Sequence, residues 1–255
     1  MLAPERYEYI IESLNRDSAV KVSKLIKELN VSVETIRRDL EHLEKEGILE
    51  RVYGGAIPKK VSVDKLSFDK REEEFKAEKL EIASIAMSYI EDGQSIALND
   101  STTNVEVARQ LKKKFKNITV ITNSLIIATE LANSPGIKVI LAGGLLNNDE
   151  YAFYGEFAKN ILKNFIVDRS FISVGGVSLN YGVTDYDINT VEIQKILIEI
   201  SKESIILADS SKIDSVSLTK ISDIGNISCI ITDSKVEKDI VDKYLKQGIE
   251  IINKL

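Results

Sequence analysis

The sequence is poor in the residues that build disulfide frameworks and metal centres. Its 255 residues include one cysteine, one histidine and no tryptophan. A single cysteine excludes a disulfide framework and a cysteine-rich metal site. Cys229 lies in an apolar run, where a thiol is usually a small buried hydrophobic side chain. We therefore predict no metal site and no cofactor.

Long hydrophobic runs are also missing. No apolar stretch approaches the ~18 residues that a membrane-spanning helix needs, and the first ten residues contain acidic side chains and no apolar signal core. The apolar fraction of 44% is nevertheless enough for a buried core. The sequence predicts a soluble, cytoplasmic protein with no membrane partner, and its length favours two domains.

Negative charge is in excess, but only in one part of the chain. Residues 1–60 contain 11 Lys and Arg and 11 Asp and Glu, so residues 61–255 carry the whole net charge of −6. An acidic protein is a poor nonspecific ligand of nucleic acid. A neutral head on an acidic body fits a small sequence-specific DNA-binding domain, although many two-domain enzymes would show the same asymmetry.

Three amphipathic helices are predicted in the first fifty residues. Apolar residues recur at helical spacing over residues 4–15 and 21–29, and Asn30 suits the left-handed end of the second helix. Ser32 can cap a third helix that continues to about residue 46 and ends at Gly47. Three short helices in this order are typical of a DNA-binding head.

A strand, a turn and a short return follow the third helix. Residues 48–53 alternate like a strand, Gly54 and Gly55 turn the chain, and the return stops at Pro58. Helices followed by such a hairpin form a winged helix-turn-helix. We predict this DNA-binding domain over residues 1–58.

The third helix has one apolar face and one polar face. Ile36, Leu40 and Leu43 share the apolar face, and Arg38 lies opposite to it with Arg37 on a flank. Arginine can bond guanine in the major groove, and a flanking arginine more naturally contacts phosphate. The predicted DNA-binding residues are Ser32, Glu34, Thr35, Arg37, Arg38, His42, Arg51, Tyr53, Gly54 and Gly55.

A simpler interpretation of the two arginines is that they pair with neighbouring acidic residues on a solvated helix. For an isolated Arg-Arg pair this interpretation would be preferred. Three ordered helices followed by a Gly-Gly wing favour DNA binding instead. On this exposed face, His42 is a neighbour of phosphate or solvent rather than a metal ligand or a catalytic base.

Residues 59–72 are polar and charged with little periodicity, which predicts a linker. The body, residues 73–255, opens with a helix over 73–91 and then alternates. Strand-like runs occupy 94–98, 118–122, 137–142, 169–174, 204–208, 227–232 and 248–252; helix-like runs occupy 103–114, 124–133, 156–164, 189–202 and 235–246. This alternation predicts an α/β domain with a mostly parallel sheet that is covered on both faces.

Polar or glycine-rich segments follow five of these strands, where parallel sheets bind ligands. Hydroxyl and N–H groups at helix starts bind anions, and a lysine is a natural partner of phosphate. Any one segment is explained by capping or turn formation, but together they favour a pocket for a small phosphorylated polyol. The effector residues predicted in this way are Asn99, Asp100, Ser101, Thr102, Thr103, Asn123, Ser124, Gly143, Gly144, Gly175 and Lys212.

The segment VSVETIRRDLEHLEKEGILERVYGGAI resembles the DNA-binding domain of the DeoR family of bacterial regulators. The motifs LNDSTT, TNS, AGG, GVTDYD and LADSSK, within residues 74–232, resemble the effector domain of that family, which is similar to sugar-phosphate isomerases. The resemblance implies that residues 100–103 hold phosphate and that Asn123, Gly143, Gly144, Asp185 and Lys212 line the rest of the pocket. The family loop L-D-S-G-T-T is altered here, because Ser101 replaces its glycine and a carboxylate is shifted by one position.

Three hypotheses follow. The first is a repressor of a carbohydrate-use operon that binds operator DNA as a homo-oligomer, dimer or tetramer, under the control of a sugar phosphate. The second is an isomerase or deaminase with an accessory DNA-binding domain. Its candidate bases are Asp100, Asp185, Asp187 and Glu192, but the body lacks histidine, the commonest general base. The third is a DNA-binding protein whose body only oligomerises.

Overall fold

The computed structural model describes residues 3–17, 19–45, 48–58 and 67–254. The chain forms two compact units, Met1–Lys65 and Leu66–Leu255, which are called the head and the body below. None of the described helices is long and apolar enough to cross a membrane.

The head contains the three predicted helices and the predicted hairpin. Its elements are α1 (Ala3–Asp17), β1 (Val20–Lys21), α2 (Val22–Leu29), α3 (Val33–Lys45), β2 (Leu49–Val52) and β3 (Gly55–Pro58). Asn30 ends α2 in the left-handed conformation, with φ of 51°. The predicted end of α3 at Gly47 lies outside the described residues.

Sequence patterns miss strand β1, which is two residues long. It pairs with β3 in an antiparallel sheet of order β1-β3-β2. A two-residue strand is too short to show an alternating pattern, and only its partner reveals it.

The core of the head is built as the helical spacing predicts. Ile36, Leu40 and Leu43 of α3 are each at most 2% exposed and pack in one cluster with residues of α1 and α2. Burial of this stripe leaves the opposite side of α3 in solvent.

The body is a three-layer α/β unit. Its helices are α4 (Phe68–Glu73), α5 (Lys76–Ala86), α6 (Thr102–Lys114), α7 (Leu125–Leu131), α8 (Gly155–Leu162), α9 (Ile188–Glu199) and α10 (Lys238–Leu245). Its strands are β4 (Ser95–Leu98), β5 (Ile118–Thr122), β6 (Ile137–Leu141), β7 (Leu145–Asn147), β8 (Ala152–Tyr154), β9 (Val167–Ser173), β10 (Gly176–Ser178), β11 (Gly182–Asp185), β12 (Ser201–Leu207), β13 (Thr219–Ser222), β14 (Cys229–Ile231) and β15 (Ile251–Ile252).

All seven predicted strands form one sheet, of order β15-β14-β12-β9-β4-β5-β6, and each neighbouring pair is parallel. Alternate residues of a strand enter opposite layers: Ile96 and Leu98 pack in one apolar cluster and Ala97 in the other. Helices α5, α6 and α7 contribute to the first cluster, and α8, α9 and α10 to the second. The predicted α/β architecture, with both faces covered, is confirmed.

Two small antiparallel sheets are additions that the sequence patterns do not predict. One is the hairpin β7-β8 and the other has the order β10-β11-β13. Their strands are three or four residues long, which is too short for a clear alternating pattern, so the sequence does not distinguish them from loops.

The predicted linker over 59–72 is wrong in its last part. Residues 59–66 lie outside the described residues, but Phe68–Glu73 is helix α4, and Phe68 is 1% exposed in the body core. One buried aromatic residue among charged neighbours gives no periodicity, which explains the error. The predicted single helix over 73–91 is also divided, because Phe75 adopts φ of 51° between α4 and α5.

Candidate functional site

Helix α3 of the head is fixed at its start and along its buried side. The Ser32 hydroxyl accepts a hydrogen bond from the Thr35 N–H at 3.2 Å, as expected of a helix cap. On the buried side, the Arg6 guanidinium donates two hydrogen bonds, of 2.7 and 2.8 Å, to the Asp39 carboxylate. This fork-to-carboxylate pair ties α1 to α3, and it shows that Asp39 of the motif RRDL orients the helix.

The two arginines of α3 remain in solvent. Arg37 lies 3.9 Å from Glu34, and both side chains are about two-thirds exposed, at 65% and 66%. Such surface pairs contribute little, so Arg37 can exchange Glu34 for phosphate. Arg38 is exposed on the side opposite the buried stripe.

Contacts within the head hold two other predicted DNA-binding residues. His42 stacks on Tyr7 of α1, with ring centroids 4.7 Å apart. Arg51 of β2 donates to Glu44 of α3 through Nε, at 2.8 Å, and through its backbone N–H, at 3.0 Å. Arg51, which is predicted to contact DNA from the wing, therefore also joins the wing to α3.

The wing, strands β2 and β3, has a fully exposed tip at Tyr53. Gly54 adopts φ of +82°, a conformation that suits glycine. Gly55 lies so close to β1 that a Cβ atom there would be 2.0 Å from the Val20 carbonyl oxygen. The Gly-Gly pair is therefore required by two different constraints.

In the body, the loop after β4 is held at the centre of the sheet edge. The Asn99 side-chain amide accepts a hydrogen bond from the Ser173 N–H at 2.9 Å and donates one to the Ser173 carbonyl oxygen at 3.1 Å, at the end of β9. Asn104 donates to the Asn99 side chain at 2.8 Å, and the Ser101 hydroxyl caps α6 by accepting from the Asn104 N–H at 3.0 Å. Thr102 and Thr103 begin α6, where the first N–H groups have no partner within the helix and can face an anion.

Asp100 forms the first half of the candidate site. Its carboxylate accepts a hydrogen bond from the Asn123 amide at 2.8 Å and another from the Tyr154 hydroxyl. Burial raises the pKa of Asp100 to about 7, against the opposing effect of these two donors. Burial and the neighbouring Asp100 likewise raise the pKa of Tyr154. A carboxyl group of this kind can bond a sugar hydroxyl as donor or acceptor.

Asp185 and Lys212 form the second half. Gln194 donates to Asp185 at 2.7 Å, and burial raises the pKa of Asp185 against the effects of Gln194, Lys212 and Arg71. Lys212 pairs with Asp209 at 3.3 Å. A lysine beside carboxyl groups suits a ligand that carries both an anionic group and hydroxyls.

Structural roles can be assigned to three of the four remaining predicted effector residues. Gly144 packs beside the backbone of Tyr154, and a Cβ on Gly175 would lie 3.0 Å from the Asp185 carboxylate. Ser124 is fully buried, and its hydroxyl accepts from the Ile127 N–H at 3.3 Å. Ser124 therefore caps α7. Around Gly143 the space is open.

Several residues near this edge of the sheet carry no signal in the sequence. Tyr154 and Gln194 are buried polar partners of the two aspartates. Arg71 is close enough to lower the pKa of Asp185 and of Lys79, and Lys79 donates to the Arg71 carbonyl oxygen. Arg71 falls in the predicted linker. None follows a strand of the main sheet, so the rule of polar strand ends could not find them.

No group of three metal-ligating side chains is assembled within the described ranges. Two of the carboxylates considered as catalytic bases have ordinary structural partners. Asp187 caps α9 by accepting from Asn189 and Thr190, and Glu192 pairs with Lys159 at 2.9 Å on the surface.

Comparison with known proteins decides the family. The model of the DeoR-like helix-turn-helix domain matches residues 6–61, and the model of the DeoR C terminal sensor domain matches residues 74–234. The chain belongs to the DeoR family. It is thus a DNA-binding transcriptional regulator rather than an enzyme.

Relatives match this DeoR-family regulator over nearly its whole length. The uncharacterized HTH-type transcriptional regulator YulB of Bacillus subtilis (strain 168) is 37% identical over 250 residues, 96% of each chain. The lactose phosphotransferase system repressor of Lactococcus lactis subsp. lactis is 32% identical over 242 residues, 94% of each chain. A ribose 5-phosphate isomerase structure from Methanocaldococcus jannaschii aligns with 53% of either chain at 18% identity, with a TM-score of 0.39.

Proposed function

We propose that the chain is a repressor of a carbohydrate-use operon and that a small phosphorylated sugar controls its binding to operator DNA. The observation that carries this proposal is the sheet edge of the body, where Asp100 and Asp185 lie among polar partners and Lys212 supplies a cation. Carboxyl and amide groups suit sugar hydroxyls, and a lysine suits a phosphate. One relative is named as the repressor of a lactose phosphotransferase system.

DNA recognition is assigned to α3 and the wing. Arg38 would bond base edges in the major groove, and Arg37, with the fully exposed Tyr53, would contact the backbone. Ser32 and Thr35 lie at the start of α3, where N–H groups and hydroxyls suit phosphate. One head would then read one half-site, and a homo-oligomer would supply the second.

Control by the effector follows from linkage. A ligand that binds the DNA-competent and DNA-incompetent arrangements with different affinities changes operator occupancy by that difference. The body needs only to bind the ligand in one arrangement more tightly than in the other.

The test is a gel-shift assay with the DNA upstream of the gene, titrated with glucose 6-phosphate, fructose 6-phosphate and ribose 5-phosphate. Unphosphorylated sugars serve as controls. One phosphorylated sugar should change operator affinity, and its parent sugar should not. Operator binding that no phosphorylated sugar alters, together with no ligand-dependent rise in melting temperature, would instead identify a body that only oligomerises.

A matched pair of variants ties the effect to the site. Lys212→Met should abolish the response to the phosphorylated sugar. Lys220→Met is the control. Lys220 pairs with Asp223 on the surface, with Nζ and Oδ1 2.5 Å apart, so its loss should leave the response unchanged. Light scattering with and without operator DNA measures the oligomer.

A further inference from the structure

Glu34 places a carboxylate at the centre of the exposed side of α3, the second helix of the helix-turn-helix. Successive helical residues are rotated by about 100°. The buried residues of α3 therefore share one side, and Glu34 lies directly opposite to them, one turn before the exposed Arg38. The N-terminal residues of such a helix are the ones that reach base edges in the major groove. Glu34 thus lies where a DNA sequence is read.

The two hydroxyl groups at the start of α3 are engaged with each other. The Ser32 hydroxyl accepts a hydrogen bond from the Thr35 N–H, and the Ser32 and Thr35 hydroxyl oxygens share another of 2.9 Å. Val33 is 42% exposed, but its side chain has no hydrogen-bonding group. Glu34 is therefore the residue of this turn whose polar group is not used to form the turn.

The contact between Glu34 and Arg37 holds this carboxylate only weakly. The two side chains approach to 3.9 Å and are 66% and 65% exposed, and a surface pair of this kind contributes little. Arg37 lies on a flank of α3, where phosphate is the natural partner of an arginine. When Arg37 turns to a phosphate, the Glu34 carboxylate is left facing the bases.

A carboxylate in the major groove distinguishes the bases by the donors that they present, because it can only accept hydrogen bonds. Guanine and thymine present acceptor atoms there, and adenine presents an acceptor beside its amino group. Cytosine presents its N4 amino group and no acceptor. A carboxylate is also repelled by the DNA phosphates, so without such a donor it weakens binding to every sequence. Its chemistry therefore favours a C·G base pair.

We propose that Glu34 determines one position of the operator by accepting a hydrogen bond from the N4 amino group of a cytosine. This inference rests on the proposed recognition of DNA by α3, and it adds a second base contact to that of Arg38. Residues four apart in a helix are separated by about 6 Å along its axis, and stacked bases by about 3.4 Å, so the C·G pair lies within about two base pairs of the position that Arg38 reads.

The test uses the half-site that the full chain protects in the DNA upstream of the gene, together with all of its single-base-pair variants. Competition binding of these duplexes gives the base-pair preference at each position. The wild type should prefer C·G to A·T by about tenfold at the Glu34 position. Glu34→Gln should reverse this preference, because glutamine bonds N6 and N7 of adenine. Glu34→Ala should bind all base pairs there alike.

Glu41→Gln is the matched control. Glu41 lies two turns after Glu34 on the same side of α3, and its carboxylate pairs with Lys45 at 3.0 Å. It carries the same charge as Glu34 but lies beyond the N-terminal residues that reach base edges. Its loss should change the affinity for all duplexes by one common factor and should leave every base-pair preference as it is in the wild type.

The outcomes separate this inference from the proposed function. If Glu34→Gln changed all affinities by a common factor, as Glu41→Gln does, while Arg38→Ala relaxed one preference, this inference alone would be overturned. If neither the Glu34 variants nor Arg38→Ala altered any preference, the recognition of DNA by α3 would be overturned with it. A wild-type preference for A·T at the position that Glu34→Ala relaxes would contradict the contact with cytosine.

Discussion

Arg37 and Arg38 are adjacent in the sequence but lie on different sides of α3. Successive helical residues are rotated by about 100°, so Arg38 points away from the buried Ile36 and Leu40, and Arg37 lies on a flank beside Glu34. We expect Arg38→Ala to cost ~1–3 kcal/mol of operator binding and to relax one base preference.

Arg37→Ala should act differently, because a phosphate contact carries no sequence information. All sequences should be bound more weakly, and the salt dependence should become shallower. Fluorescence anisotropy with the operator and its single-base variants, at several salt concentrations, measures both effects. Equal and sequence-independent losses from the two variants would show that this assignment of faces is wrong.

Asp100 should make the stability of the body depend on pH. The pKa of an aspartate in an unfolded chain is about 3.9, and burial raises that of Asp100 to about 7. The folded chain therefore binds the Asp100 proton more tightly than the unfolded chain does. The resulting contribution to the free energy of unfolding is complete below about pH 4 and is lost as the pH rises through 7. In Asp100→Asn, this loss of stability with rising pH should be absent.

Urea unfolding of the wild type and of Asp100→Asn between pH 5 and 8 measures this difference. Burial also raises the pKa of Asp185. Because Asp185 is present in both proteins, its contribution cancels in the difference between their unfolding free energies. A difference in unfolding free energy that stays constant over this range would contradict the assignment.

At the scale of elements, the wing depends on a strand that is two residues long. A Cβ at position 55 would lie 2.0 Å from the Val20 carbonyl oxygen, so Gly55→Ala must push β3 away from β1. We expect a loss of about 1–3 kcal/mol in the stability of the head, as for other forced overpacking, and weaker operator binding.

Gly54→Asn is the control for this prediction. Gly54 has φ of +82° and open space around its Cα, and asparagine tolerates this conformation better than other residues. Thermal unfolding of the head, followed by circular dichroism, should show the smaller loss in Gly54→Asn. The reverse order would mean that the turn, rather than the contact with β1, limits the wing.

At the scale of the whole molecule, the head and the body have separate apolar cores. One cluster lies within the head, and two lie on the faces of the body sheet. We expect calorimetry to resolve two unfolding transitions. A phosphorylated sugar at 100 times its Kd should stabilise the transition of the body by about 2.7 kcal/mol. A single transition that the ligand shifts as a unit would show that the two cores unfold together.

Those parts of the fold that have long, regular patterns could be predicted from the amino-acid sequence alone. The stripe Ile36, Leu40 and Leu43 predicts which side of α3 is buried, and seven short apolar runs between helices predict the parallel sheet. Both follow from local periodicity, because each residue's face depends only on its position along the element. The place of Asp100, after β4 at the carboxyl edge of the parallel sheet, follows from the rule for polar strand ends.

Which residues meet across elements becomes visible only in the folded chain. Phe68 enters the body core from a segment without periodicity, and Lys79 lies buried beside the end of α4. Tyr154 reaches Asp100 from an extra hairpin. These contacts join residues far apart in the chain, and their geometry is set by how whole elements pack. No local pattern records such a distance, which is why the partners of the predicted residues had to be found in the fold.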